Sequence, residues 1–350
     1  MPRVSGEQTR AGRHRIGVMG AGSIGCFVGG RLLAAGEAEV VLVGRERLGR
    51  EIAEHGLTVS DCESETRHVP ASAVNYTSDP RDLARCDAVL CCVKSAQTTE
   101  VAEKLAGILP PDALVVSLQN GVSNPDRLRE HLGHERVVPG IVAFNVIAQG
   151  GGRFHRGTTG SLMLGRAKLA GALTALTATG LDVETHADLV PHQWTKLIVN
   201  LNNALSALSG APTHELLSRP GFRKVIAAVV REALSVLRVA GISPAALRGV
   251  PLAVMPTVLR LPTPLVRLVT RRQIRADPQA RSSMWEDLER RRSTEVDDLN
   301  GAIVSLADRV GVEAPINRRI VALVHEAEKR GDGSPGLGER ELWRAIVAPS

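Results

Sequence analysis

The chain has 350 residues, 43% of them hydrophobic and 23% charged, enough for two cored domains of a soluble protein. Its net charge of +6 is carried by scattered basic residues and aromatics make up only 2%, which argues against a nucleic-acid surface built on stacking. Five cysteines, an odd number with no CxxC pair, argue against a disulfide framework or a zinc site, and no metal is expected.

Residues 1–13 are polar and basic, lack the apolar centre of a secretory signal, and read as a disordered tail. No uninterrupted apolar run is long enough to span a bilayer, so a cytoplasmic location is the expectation. The first apolar run leads into Gly20-Ala21-Gly22-Ser23-Ile24-Gly25, followed by a segment rich in alanine and leucine. A second run, residues 40–43, ends in Gly44-Arg45. That order predicts strand, tight turn, helix and strand. Gly20 allows the turn, Gly22 lets backbone approach a pyrophosphate, and Gly25 lets helix and strand pack closely. Residues 20–25 are thus candidate phosphate contacts, aided by the positive end of the helix dipole. An acidic residue after the second strand would accept from a ribose 2′-hydroxyl, whereas a guanidinium suits a 2′-phosphate. Arg45 favours NADPH, and Glu46 beside it leaves NAD as the alternative.

Further strands are expected at residues 88–93 and 113–118, a helix at 98–109, and short strands with a Gly-rich connection (150–152) within 137–186. The continuous apolar runs are those of strands buried on both faces of a parallel sheet, so the N-terminal part, residues 14–187, is expected to be a doubly wound α/β domain. Beyond about residue 188, helical spacing governs 193–208, 222–240, 284–310 and 317–329, and residues 188–350 are expected to form an all-α domain. Residues 250–274 mix proline, leucine and arginine. They read as a segment packed on that domain or against another subunit, with a membrane-surface amphipathic helix as the other reading. A homodimer is carried as an expectation. Cys91 and Cys92 read as small buried hydrophobes.

Four local features are candidates for chemistry. Val93-Lys94-Ser95-Ala96-Gln97-Thr98 and Gln119-Asn120-Gly121-Val122 each follow a strand, where ligands of open α/β sheets gather. Trp194-Thr195-Lys196 leads to Asn200, one helical turn beyond Lys196 on the same face. Last come Ser282-Ser283-Met284 and Arg292-Ser293-Thr294-Glu295-Val296-Asp297 with Asn300-Gly301. On one continuous helix, Ser283 and Glu295 would sit about 120° apart.

Together these segments, spanning residues 16 to about 328, resemble the ketopantoate reductase (2-dehydropantoate 2-reductase) family. The resemblance implies a Rossmann-type domain followed by a helical domain like the C-terminal domain of 6-phosphogluconate dehydrogenase. It implies NADPH-dependent reduction of a small 2-oxo acid. Lys196 would be the general acid and Glu295 the carboxylate that orients it. Lys94, Asn120, Asn200 and Ser283 would bind substrate, with Lys94 and Asn120 also beside the cofactor. The chain departs from the family pattern at Ala204-Leu205, where the family often has Asn-Pro, and at Asp298, where it has an aromatic. Another small oxo acid is therefore an alternative substrate, and a non-catalytic NADP-binding regulator an alternative role.

Overall fold

The computed structural model describes residues 14–62, 65–166, 170–247, 249–270 and 282–348. The expected N-terminal tail lies outside them. The chain folds into two units. One holds the residues up to Gln119 together with Pro125–Ala187; the other holds Asn120–Asn124 together with the residues from Asp188 onward.

The first unit begins with β1 (His14–Met19), α1 (Ser23–Ala35), β2 (Ala38–Val43), α2 (Glu46–His55), β3 (Leu57–Asp61), β4 (Thr66–Val69) and β5 (Asn75–Thr77). It continues through β6 (Ala88–Cys91), α3 (Thr98–Ile108), β7 (Leu114–Ser117), α4 (Asn124–Leu132), β8 (Val137–Val142), β9 (Val146–Gly150), β10 (Arg153–Arg156), β11 (Leu162–Gly165), α5 (Ala170–Ala178) and β12 (Val183–His186). Eight strands form one sheet in the order β12-β11-β8-β7-β6-β1-β2-β5, and β4-β3-β10-β9 form a second. Pairing in the large sheet is parallel except between β8 and β11.

Alternation along the strands sends side chains into two separate cores, as the two-residue period requires. Ile16, Val18, Val40, Leu42, Leu90 and Val116 pack with Phe27 and Leu32 of α1. Val41, Val43, Val89, Cys91 and Val115 pack with Val101 and Leu105 of α3 and Leu128 of α4. Both faces are covered, which explains the uninterrupted apolar runs. Between β1 and β6 the order of connection reverses, so the ends of these two strands form the topological switch point.

The second unit is helical: α6 (Val190–Asn200), α7 (Asn202–Ser209), α8 (Thr213–Ser218), α9 (Pro220–Val239), α10 (Met255–Leu259), α11 (Thr263–Thr270), α12 (Ser283–Glu289), α13 (Asn300–Val310), α14 (Pro315–Arg330) and α15 (Glu339–Ile346). Its core collects Trp194, Leu197, Leu201, Val225, Val229, Leu288, Ile303, Ile320 and Leu342 around α9.

The structure departs from two of the sequence expectations. The helix expected at 193–208 breaks at Leu201, between α6 and α7. The helix expected at 284–310 is two helices. α12 stops because Arg291 takes a left-handed conformation (φ 52°), and the Arg292 N–H closes the turn on the Asp287 carbonyl at 2.8 Å. Glycine usually occupies such a position, so the arginine hid the stop. Residues 250–270 pack on the helical unit, as the first of the two readings of this segment has it, and do so in short pieces rather than as one amphipathic helix. Leu252, Leu259 and Val266 are buried, and the buried Arg223 of α9 donates to the Leu259 carbonyl at 3.0 Å. Residues 271–274 lie outside the described part. Among the described residues, no helix is long and apolar enough to cross a membrane.

Candidate active site

The glycine turn sits where β1 ends at the switch point. The Gly20 and Ala21 N–H groups donate to the Val43 carbonyl at 3.0 and 2.8 Å, locking the turn to β2. Gly20 has φ +100°, and a Cβ there would lie 2.6 Å from the Val93 backbone nitrogen, in the loop after β6. A Cβ on Gly25 would lie 2.3 Å from the Gly20 carbonyl oxygen, whereas above Gly22 there is open space. The first N–H groups of α1, on Ser23, Ile24 and Gly25, lack intrahelical acceptors by geometry, and no side chain caps them. This turn therefore combines close packing on one side with an open, donor-lined approach on the other. Its chemistry fits a diphosphate.

Arg45 is exposed at the N-cap of α2, one residue past Gly44. Its carbonyl accepts a 2.9 Å hydrogen bond from the Tyr76 hydroxyl. Burial pushes the Tyr76 phenol up, so it stays a donor. This sole tyrosine pins the bend carrying Arg45, and sequence reasoning misses it. Only its position on the short edge strand β5 reveals the contact.

Lys94 caps a short 3-10 turn just after β6 and is half-buried. The loop around it is tied down by the buried Gln119, whose amide donates to the Val93 carbonyl at 3.0 Å and to the Thr98 hydroxyl at 2.7 Å. The spacing of Lys94, Thr98 and Gln119 thus has a structural cause: Gln119 and Thr98 build the loop that presents Lys94.

The second group of predicted residues belongs to the helical unit, and Asn120 joins it. Lys196 and Asn200 occupy the half-buried face of α6, whose other residues Trp194, Leu197 and Ile198 enter the core. Glu295 lies in the non-helical stretch between α12 and α13. The Asn120 side-chain amide donates to Glu295 Oε2 at 3.1 Å, and the Asn120 carbonyl accepts from Asn124 Nδ2 at 2.6 Å. Gly121, at φ +86°, lies so close to the Asp298 carbonyl that a Cβ would sit 3.1 Å away. That close approach accounts for the glycine after Asn120. Burial pulls the Lys196 ammonium down to about 8, and the Glu295 carboxylate partly opposes the shift. A lysine so placed can hold or release a proton near neutral pH.

Ser283 is exposed at the first position of α12. Its neighbour Ser282 does the structural work, accepting from the Trp285 N–H at 3.1 Å and donating to the Asn203 carbonyl at 3.0 Å. Because α12 ends at Glu289, Ser283 and Glu295 do not share a helix, and the 120° relation expected for them does not apply. Ala204 and Leu205 are buried in the helical core. Among the described residues, no group of three His, Cys, Asp or Glu side chains is placed to hold a metal.

Residues 16–168 match the family model described as "Ketopantoate reductase PanE/ApbA", and residues 188–328 match its C-terminal counterpart. The chain belongs to the ketopantoate reductase family. Membership makes it an oxidoreductase acting on a CH–OH group. A 2-dehydropantoate 2-reductase of Halobacterium salinarum is 31% identical over 327 residues, 91% of this chain and 100% of the relative. One from Archaeoglobus fulgidus is 29% identical over 324 residues, 90% of this chain and 98% of the relative. Among solved structures, a PanE/ApbA family ketopantoate reductase from Ralstonia eutropha JMP134 is similar at 33% identity and TM-score 0.77, covering 91% of this chain and 99% of that one. The fold is also that of a D-mandelate dehydrogenase solved with NADH and anilino(oxo)acetate, at 22% identity and TM-score 0.74, covering 91% and 99% of the two chains.

Proposed function

We infer that this ketopantoate reductase family member reduces a 2-oxo acid, 2-dehydropantoate by preference, with NADPH as the reductant and Lys196 as the general acid. The observation that carries the reading is the Lys196 ammonium, held near 8 by burial, with a carboxylate in electrostatic reach that is itself hydrogen-bonded to Asn120. The nicotinamide, when bound, supplies the hydride. The remaining work falls to the chain's own residues. Reduction puts negative charge on the carbonyl oxygen. The Lys196 ammonium stabilises that charge and delivers the proton that makes the hydroxyl. Glu295 keeps the lysine protonated at working pH, and Asn120 fixes the Glu295 carboxylate. Asn200, on the Lys196 face, and Ser283, at the start of α12, would bind the substrate's oxygens. Lys94 would meet its carboxylate beside the nicotinamide. Residues 20–25 would hold the diphosphate and Arg45 the 2′-phosphate.

A second substrate reading rests on one observation. Ala204 and Leu205 are buried in the helical core, so α7 offers no polar side chain at the two positions where the family often has Asn-Pro. A different small 2-oxo acid, with fewer polar groups to satisfy, would suit such a site. NADPH oxidation measured against 2-dehydropantoate and a panel of branched 2-oxo acids separates the readings. The highest kcat/KM is expected with 2-dehydropantoate. A higher value with another acid moves the assignment to that acid, and no turnover with any of them leaves the regulatory alternative.

A further inference from the structure

The helical unit carries a pocket that shares no residue with the Lys196 and Glu295 group. It encloses about 610 Å³ between α9, the end of α10 and α15. That volume lies within the range of small-molecule sites. Ala227 and Ala228 contribute to its lining, together with five cationic side chains: Lys224 and Arg231 of α9, Arg260 after α10, and Arg340 and Arg344 of α15. Lys224 and Arg231 are seven residues apart, two helical turns, and so share one face of α9. Trp343 of α15 lines the same pocket with 38% of its surface exposed.

The one acidic side chain in the lining cannot neutralise this charge. Glu339 accepts hydrogen bonds from the Gly221 N–H at 2.6 Å and from Arg219. Those bonds dock the start of α15 on the start of α9, and Leu342 and Ile346 anchor the rest of α15 in the core. The five cations are all exposed side chains on anchored elements, and none of them forms an ion pair among the described residues. Like charges gathered around one concavity repel unless a polyanion enters. Four of the five are arginines, whose planar forks suit phosphate oxygens. An exposed indole beside them offers a face for a planar ring.

We propose that this pocket binds a nucleoside triphosphate through its triphosphate chain and base, the phosphates held by Arg231, Arg260, Arg340 and Arg344 and the base stacked on Trp343. The site is separate from the glycine turn of the first unit and stands whether or not the assignment of the reaction is right.

Calorimetric titration of the full-length protein at physiological ionic strength, with ATP and with inorganic tripolyphosphate, tests this. Both titrations are run with and without saturating NADPH, so that occupancy of the glycine turn is controlled. Saturable binding of both ligands is expected in the presence of NADPH, with ATP the tighter. An Arg231→Glu/Arg260→Glu variant should lose on the order of ten- to a hundredfold in affinity for both. Trp343→Ala should lose about fivefold or more for ATP and leave tripolyphosphate unchanged. An Arg340→Glu variant, on the opposite wall, repeats the charge test should the first variant not fold. Absence of saturable binding, displacement of ATP by NADPH, equal affinity for the two ligands, or indifference to the charge reversals would each overturn the proposal.

Discussion

Lys196 sits between two opposing influences, and their balance makes its role testable. Burial disfavours the ammonium and pulls its pKa to about 8, while Glu295 favours the ammonium. An acid catalyst must be protonated, so the reduction rate should be level below about pH 8 and fall tenfold per unit above it. Replacing Glu295 by Gln removes the group that raises the pKa, so the descending limb should move to lower pH. Initial rates measured across pH check this; an unmoved limb, or one shifted to higher pH, would contradict it. Arg45 carries a second residue-scale prediction. Arg45→Ala should weaken NADPH binding by on the order of ten- to a hundredfold while NADH binding hardly changes, because a charge-assisted phosphate contact is lost from one cofactor only. Equal losses in nicotinamide fluorescence titrations would remove the 2′-phosphate assignment. Lys94, Asn120, Lys196, Asn200 and Glu295 are all legible from sequence as candidates. The bond from Asn120 to Glu295 is not, because 175 positions separate the partners and no local pattern encodes their meeting. Tyr76 is equally silent, since its contact is with the backbone of Arg45 rather than with a motif residue.

At the scale of elements, the strands of the large sheet read well because burial on both faces leaves continuous apolar runs. The second sheet is harder. β3 alternates buried and half-buried positions over only five residues, and β4 buries only Val69 of its four, too little for a firm period. The helical half shows the converse error. Apolar spacing runs on through residues 290–299, yet the chain leaves the helix at Arg291 and re-enters at Asn300. That interruption lets Glu295 sit outside both helices, and α13 is fixed by a buried relay. Asn300 Nδ2 donates to Asn317 Oδ1 at 3.0 Å, and Asn317 Nδ2 donates to Glu232 Oε1 at 2.8 Å. Since Arg291 alone among described non-glycine residues has a positive φ, relieving it is informative. Arg291→Gly should stabilise the protein by about 1 kcal/mol, the cost of a side chain in the left-handed region. A higher denaturant midpoint is the expected reading. A lower midpoint would mean that the arginine side chain contributes more than its strain removes.

Across the whole molecule, the proposed functions divide between the two units. The glycine turn, Arg45 and Lys94 belong to the first, and Lys196, Asn200, Glu295 and Asn120 to the second. The domain order is visible in the change from strand to helix periodicity near residue 188. The grouping of Asn120–Asn124 with the helical unit is not visible, since those residues lie inside the sequence of the sheet. If cofactor binding and proton delivery are divided in this way, removing the lysine should abolish one and spare the other. NADPH oxidation with 2-dehydropantoate, by the parent protein and by Lys196→Ala, measures this. Turnover by the parent and a fall in kcat of about 10²- to 10⁴-fold in the variant are expected, with NADPH affinity unchanged. Equal rates in the two proteins would contradict the general-acid role of Lys196.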